Sequence, residues 1–244
     1  MSMKAYIINL PSASERKQRL KQEISLIEGI DFVFFDAISY RDERFEKYRS
    51  YWNWNLLTKL YRGRELTWGE KACFASHYAL WERCVQSHEE MLILEDDILF
   101  VPDFREKILK ITQNQELDFV RLMPLFQKKY FPICDGIARS FESICGTQGY
   151  FLRPRAALSF LKMAKIWFCP VDNYLDKSYL HGVKNLFCQP PIISENQEFQ
   201  SCVDSEGGDR KSPIAFGYKI SKECLNALEF VWRSCYVITN LWKK

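Results

Sequence analysis

Apolar residues fall along this chain in two kinds of run, unbroken short stretches and stretches spaced three or four apart. Lys4 to Leu10 (KAYIINL) is of the first kind, and Pro11 stops it, which predicts a strand buried on both faces. Ser12 to Glu15 (SASE) has the form of a capping box, with Ser12 as N-cap and Glu15 at the third helical position. The helix is expected to reach about Leu26. Asp31 to Ser39 (DFVFFDAIS) predicts a second strand ending near Asp36 and Ala37. Strand, helix, strand is the βαβ unit of a parallel sheet.

Tyr40 to Arg64 is rich in aromatics and arginine and poor in periodicity, the pattern of an insertion with a short helix. Thr67 to Glu70 (TWGE) is a second capping box and opens a helix to about Gln86. Met91 to Leu94 (MLIL) and Leu117 to Met123 (LDFVRLM) predict further strands, and Ser140 to Leu152 predicts paired strand segments around Gly146. Pro154 suits the first turn of a helix to about Trp167, Pro170 to Leu180 a short helix, and VKNLFCQPPII the last strand. Residues 203–213 have almost no apolar content and read as a polar linker between a domain of residues 1–202 and an amphipathic helical segment of residues 214–244.

In parallel α/β sheets ligands sit beyond the carboxyl ends of the strands. That edge gathers Asn9, Asp36 and Ala37, then Glu95, Asp96 and Asp97 at the end of MLIL. The helix opening at Thr67 runs antiparallel to that strand, so Gly69 and Glu70 return to the same edge. At about 100° per residue, Glu70, Cys73, His77, Leu80 and Cys84 share one stripe. A capping role accounts for Glu70 and a satisfied core histidine for His77; a ligand would account for both. Arg16 lies in a first helical turn, where a cation is mildly unfavourable. A ligand phosphate explains it, and so does solvation.

Three adjacent carboxylates after a buried strand repel one another. A solvated turn tolerates this, and a divalent cation reverses it. Strand alternation would put Glu95 and Asp97 on one side. Such hard oxygen donors suit Mn²⁺ or Mg²⁺. Gly146 and Gly149 flank Thr147 and Gln148 and permit either a close backbone approach to a ligand or a bulge. Asp172, two residues after Pro170, is an N-cap or first-turn acid or a functional one, and His181 is expected at the surface.

Composition adds limits. With 244 residues, 47% of them hydrophobic, the chain can bury a sizeable core. A net charge of +3 does not mark a nucleic-acid binder. Nine scattered cysteines without a CxxC pair, and an N-terminus without the core of a signal peptide, point to the cytoplasm. Near the C-terminus Leu225, Leu228, Val231, Trp232, Cys235, Ile238, Leu241 and Trp242 recur every three or four residues, with Lys219, Lys222, Arg233, Lys243 and Lys244 supplying charge. Such a helix either packs on its own domain or lies peripherally on an anionic membrane, such as the cytoplasmic face of an inner membrane.

Five motifs, INLPSASERKQRL, LTWGEKACFASHYALWERC, MLILEDDILF, GTQGYFL and PVDNYL, occur in an order that resembles glycosyltransferase family 25, the lipooligosaccharide galactosyltransferases, over about Met3 to Gln197. The resemblance implies a GT-A-like α/β domain, a UDP-sugar donor (typically UDP-galactose), Mn²⁺ or Mg²⁺, an inverting reaction and a lipooligosaccharide acceptor. It implies donor contacts at Ile8, Asn9, Leu10, Arg16, Ala37, Gly69, Ser76 and His77. It also implies them at Glu95, Asp96, Gly146, Thr147, Gln148 and Tyr150, with Asp97 and Glu95 as metal ligands and Asp172 or Glu70 as general base. The triplet is Glu-Asp-Asp rather than a strict Asp-x-Asp, which leaves its division between metal and ribose open. A UDP-glucose-dependent enzyme, a nucleotidyl- or phosphotransferase and a non-catalytic sugar-nucleotide module remain alternatives. No Walker-type glycine loop supports the phosphotransferase.

Overall fold

The computed structural model describes residues 3–198 and 214–241. The expected linker and Trp242 lie outside them, so the division at residues 203–213 is not among the described features. The first strand is β1 (Met3–Asn9), followed by α1 (Ser14–Ile24) and β2 (Ile30–Asp36). β1 pairs in parallel with β2 and with β3 (Met91–Glu95), so the ends of these three strands meet at one edge. Helix α1 is not capped by Ser12. Pro11 and Ser12 form a turn closed by Ala13 N–H on the Leu10 carbonyl at 2.8 Å, and Ala13 takes the N-cap position without a side-chain bond.

The Tyr40 to Arg64 insertion folds into three short helices, α2 (Glu43–Glu46), α3 (Arg49–Trp52) and α4 (Asn55–Arg62). Phe45, Tyr48 and Trp52 are core: Phe45 stacks on Trp52 at 5.0 Å, and Tyr48 lies 5.8 Å from Trp167. Burying large rings won over presenting them to a ligand. Helix α5 (Trp68–Ser87) opens on the capping box expected at Thr67 and Glu70.

The rest of the sheet is mixed. After β4 (Ile98–Phe100) and α6 (Phe104–Gln113) come β5 (Phe119–Arg121), β6 (Phe131–Cys134), β7 (Ile137–Arg139) and β8 (Gly149–Leu152). Then follow α7 (Pro154–Met163), α8 (Val171–Leu175), α9 (Ser178–His181), β9 (Leu186–Cys188), β10 (Ile193–Glu195) and a long C-terminal helix, α10 (Phe216–Leu241). Strand order in the large sheet is β2-β1-β3-β8-β5-β9-β7-β6. The parallel part is β2-β1-β3, with β5 and β9 also parallel; β8 runs antiparallel to both of its neighbours. The expected pair of strands around Gly146 reduces to β8 alone, because Cys145 and Gly146 both take positive φ, 50° and 86°, and break the extended chain.

Strand alternation distributes the core. Met91 and Ile93 of β3 pack with Phe74 and Trp81 of α5 and Phe160 of α7, whereas Leu92 and Leu94 pack with Leu20 of α1 and Ile108 of α6. The sheet is thus sandwiched between two helical layers. Helix α10 lies outside this sandwich against α4. Ser221 Oγ donates to the Leu60 carbonyl at 3.1 Å, and Gly63, left-handed at φ +82°, faces Ile214 so closely that a Cβ there would sit 2.7 Å from it. The face that α10 turns to the domain is its polar and aromatic one, with Glu229, Arg233 and Tyr236 in contact; Phe216, Ile220, Leu228, Phe230, Val231 and Ile238 stay exposed.

Candidate active site

The parallel register sets Ile8 beside Glu95 and Asn9 beside Asp36. Ala37 N–H donates to the Asn9 carbonyl at 2.9 Å, and Ile38 N–H to Ser76 Oγ at 2.8 Å. Ser76 Oγ itself donates to the Ala72 carbonyl at 3.1 Å, so α5 is tied to the loop that leaves β2. The helix start therefore sits over the strand ends, as the antiparallel return of α5 demands.

The acidic triplet divides by direction. Asp96 is buried and takes Asn9 Nδ2–H at 2.7 Å and Arg16 Nη1–H at 2.8 Å. Arg16 is thus explained by a carboxylate of the chain itself, and its guanidinium also lies 3.7 Å from Asp97. Glu95 accepts from Thr147 Oγ1, and His77 Nε2 lies 3.6 Å from it. Burial pulls the Glu95 pKa up, but His77, Thr147 and Arg16 outweigh it and hold the acid below its ordinary value. Asp97 goes the other way: burial, then Glu95 and Asp96, push it up to about 7, and its Oδ1 is buried without a hydrogen-bond partner.

Two clefts meet here. The smaller, of about 100 Å³, is lined by Ile8, Leu10, Ala37, Gly69 and Ser76, with Arg16, His77 and all three carboxylates. The larger, of about 530 Å³, is lined by Arg62, Arg64, Glu70, Gly146, Thr147, Gln148, Asp172, Asn173 and Glu195. Cys73, Glu95 and Asp97 line both. Asp96 lines only the smaller, so alternation at the end of β3 puts Glu95 and Asp97 at the junction. Asn9 and Tyr150 line neither. Asn9 holds Asp96, and the Tyr150 hydroxyl, 2.8 Å from His77 Nδ1 and 2.9 Å from Trp81 Nε1, supports His77 from the core.

The two carboxylates considered as base sit differently. Glu70 accepts from Arg64 Nη1 and Nη2 at 2.8 and 2.6 Å and from Thr67 N–H at 2.8 Å. Burial raises its pKa, and these bonds override it to give a lowered value. Asp172 lies in the first turn of α8, and Asn173 N–H donates to its Oδ1 at 2.7 Å. Burial dominates there, and its pKa is raised.

Several site residues were not singled out in the sequence. Arg121, fully buried on β5, pairs with Asp176 at 3.0 Å and donates to the Cys145 carbonyl at 2.6 Å and the Asp172 carbonyl at 3.2 Å. Asp176 accepts from Cys145 N–H at 3.0 Å and Asn185 Nδ2–H at 3.1 Å. The pair fixes the Gly146 loop against α8. An arginine inside the apolar run FVRL was the available signal. His181 is buried rather than at the surface, against Phe160 at 4.8 Å, and burial lowers its pKa to about 3.

The residues present fit a hard divalent cation: two carboxylates at the cleft junction, one with an orphaned oxygen and a pKa raised by burial and then by like charge. Cys73, His77 and Glu95 also bring donor atoms within 4.8 Å of one another, a softer set. Burial raises the Cys73 thiol well above its ordinary pKa, which disfavours the thiolate that such a site requires. The eight described cysteines are free thiols.

Residues 2–132 and 119–175 match the family described as glycosyltransferase family 25 (LPS biosynthesis protein). A glycosyltransferase 25 family member of Aedes aegypti is 36% identical over 112 residues, 45% of this chain and 18% of that protein. The lipooligosaccharide biosynthesis protein lic2B of Haemophilus influenzae is 40% identical over 98 residues, 38% of this chain and 33% of its own length. The lacto-N-neotetraose biosynthesis glycosyltransferase LgtB of Neisseria gonorrhoeae is 30% identical over 173 residues, 65% of this chain and 60% of its own. The matched region thus spans between 18% and 60% of these relatives.

Proposed function

Because the chain belongs to glycosyltransferase family 25, we propose that it is a metal-dependent, inverting glycosyltransferase moving galactose from UDP-galactose to a hydroxyl of a lipooligosaccharide or lipopolysaccharide core acceptor. The observation that carries this reading is the meeting of two clefts at Glu95 and Asp97, with Asp172 on the wall of the larger one. The smaller cleft, with Ile8, Leu10 and Ala37 on its apolar side, receives the nucleoside. The larger has room for the transferred sugar and the acceptor.

Asp97 and Glu95 would hold Mn²⁺ or Mg²⁺, which supplies Lewis-acid stabilisation of the charge on the departing diphosphate. Arg16 and Asn9 keep Asp96 turned away, so the other two carboxylates face the junction. Asp172 takes the proton of the acceptor hydroxyl. That oxygen bonds to C1 of the sugar while the C1–O bond to UDP breaks, and UDP leaves with the electron pair. Attack opposite the leaving group inverts the configuration. Asp172 suits the base better than Glu70 because its pKa is raised and that of Glu70, clamped by Arg64, is lowered.

Among the described residues no helix is long and apolar enough to cross a membrane. The exposed apolar face of α10 supports peripheral association with an anionic membrane carrying the acceptor. Calorimetric titration of UDP tests the site. Binding is expected to strengthen on adding Mn²⁺ and to lose that gain in Asp97→Asn. Equal affinity with Mn²⁺ and with EDTA would overturn the metal-dependent reading.

A further inference from the structure

A second polar cavity, of about 460 Å³, opens between α10 and the α4 and α8–α9 region. Arg62 and Asn173 line both it and the larger cleft, so the two spaces adjoin. They adjoin on the Asp172 side: Asn173 follows Asp172 in α8, whereas Cys73, Glu95 and Asp97, which the nucleotide slot shares with the larger cleft, do not line this cavity. The order of spaces is therefore nucleotide slot, carboxylate junction, reaction chamber, cavity.

The cavity wall is cationic. Arg62, Lys177, Lys222 and Arg233 stand against two carboxylates, Asp176 and Glu229. Both carboxylates are already neutralised. Asp176 pairs with Arg121 at 3.0 Å, and Glu229 with Lys177 at 2.6 Å. Among the described residues Arg62, Lys222 and Arg233 form no ion pair. Arg62 donates from Nη1 to Asn173 Oδ1 at 2.9 Å, and its Nε is buried without a partner. Arg233 spends only its Nε, on the Phe141 carbonyl at 2.7 Å. Burial lowers the pKa of Lys177; Cys169 and Asp176 oppose that shift, and Arg62 and Arg233 add to it. Three cations held together without a direct ion partner repel one another, and a bound anion relieves that repulsion.

We propose that this cavity receives an anionic group of the acceptor, a phosphate or a carboxylate borne by a sugar next to the one that is glycosylated. The proposal rests on the glycosyltransferase reading above and names the acceptor as an anionic saccharide. Helix α10 then has a role in recognition: Lys222 and Arg233 bring the acceptor's charge to the far side of Asp172, which orients the neutral hydroxyl toward the base. Arg62, shared by both spaces, spans the two sugars.

The test is a calorimetric titration of the full chain with glucose 6-phosphate, glucuronate and glucose, first alone and then with saturating UDP and Mn²⁺. At least one anionic sugar is expected to bind and glucose is not; the two anions distinguish a phosphate site from a carboxylate site. Lys222, which makes no hydrogen bond among the described residues, is the residue to change. Lys222→Glu should weaken the anion by about tenfold or more, and Lys222→Ala by less, with UDP affinity and the melting temperature of Lys222→Ala unchanged. Equal binding of glucose and the anions, no binding of either anion, or anion binding indifferent to Lys222→Glu would each overturn the proposal. UDP binding is read separately, so failure of the nucleotide site and failure of the anion site give different results.

Discussion

Replacing Arg121 with Met removes one member of an ion pair whose side chains are 1% and 6% exposed. The loss leaves Asp176 buried without its cation, and the Cys145 and Asp172 carbonyls without their donor. Truncating one side of a buried pair costs about 3–5 kcal/mol. Asp176→Asn keeps the shape and strands Arg121 instead, so a cost of similar order is expected. The pair is in direct contact, so the two losses do not add; the double variant should recover about 2 kcal/mol of their sum. Urea denaturation followed by tryptophan fluorescence measures all three against the parent, since Trp81 and Trp167 are fully buried. Arg121→Met should also lower turnover at temperatures where the variant is folded, because Arg121 positions the Asp172 turn. Single variants that cost less than about 1 kcal/mol, or strictly additive effects, would show that Arg121 and Asp176 do not act as a buried pair.

Three further outcomes follow from the same geometry. Asp172→Asn should reduce kcat by about a hundredfold or more with UDP affinity unchanged, while Glu70→Gln should chiefly lower the melting temperature by loosening the Thr67 cap and Arg64; steady-state kinetics beside thermal melts separates the two. Burial holds His181 neutral, its pKa about 3 in the fold against 6.5 as the ordinary value, so the unfolded chain takes up a proton first as pH falls. Stability from this group is therefore full above 6.5 and is lost between 6.5 and 3, about 2 kcal/mol of it by pH 5, and His181→Gln should flatten the measured slope over that window. Ile220→Glu with Val231→Glu should abolish sedimentation with vesicles of anionic lipid without changing the melting temperature, since both side chains are exposed; co-sedimentation unchanged by both would remove the membrane role from α10.

Local signals located much of this. The apolar run ending at Pro11, the Thr67 capping box and the MLIL run ending in carboxylates each name an element and its end, because strand burial and helix capping are short-range. The strand-end rule places Glu95, Asp97, Gly69 and Glu70 at one edge, and all four line the two clefts. What escaped depends on distant partners. The antiparallel entry of β8 between β3 and β5 has no local mark, and helix α6 opens after Asp103 without a side-chain cap. Arg16 reads as a phosphate ligand or a solvated cation; its partner Asp96 is 80 residues away. Ser12 satisfies the capping pattern, yet the turn closed by Ala13 on Leu10 moves the helix start past it. The apolar stripe of α10 is plain in the sequence; that it faces outward, with Glu229 and Arg233 toward the domain, is decided by Lys177 and the Phe141 carbonyl.

The most direct test of the central claim is donor hydrolysis by the purified chain, comparing UDP-galactose with UDP-glucose, each with Mn²⁺ and with EDTA. Slow release of UDP from UDP-galactose that requires Mn²⁺ and is lost in Asp97→Asn is expected. No release from either donor, together with no calorimetric binding of UDP in the presence of Mn²⁺, would contradict it and return the Glu95–Asp97 triplet to a merely structural turn.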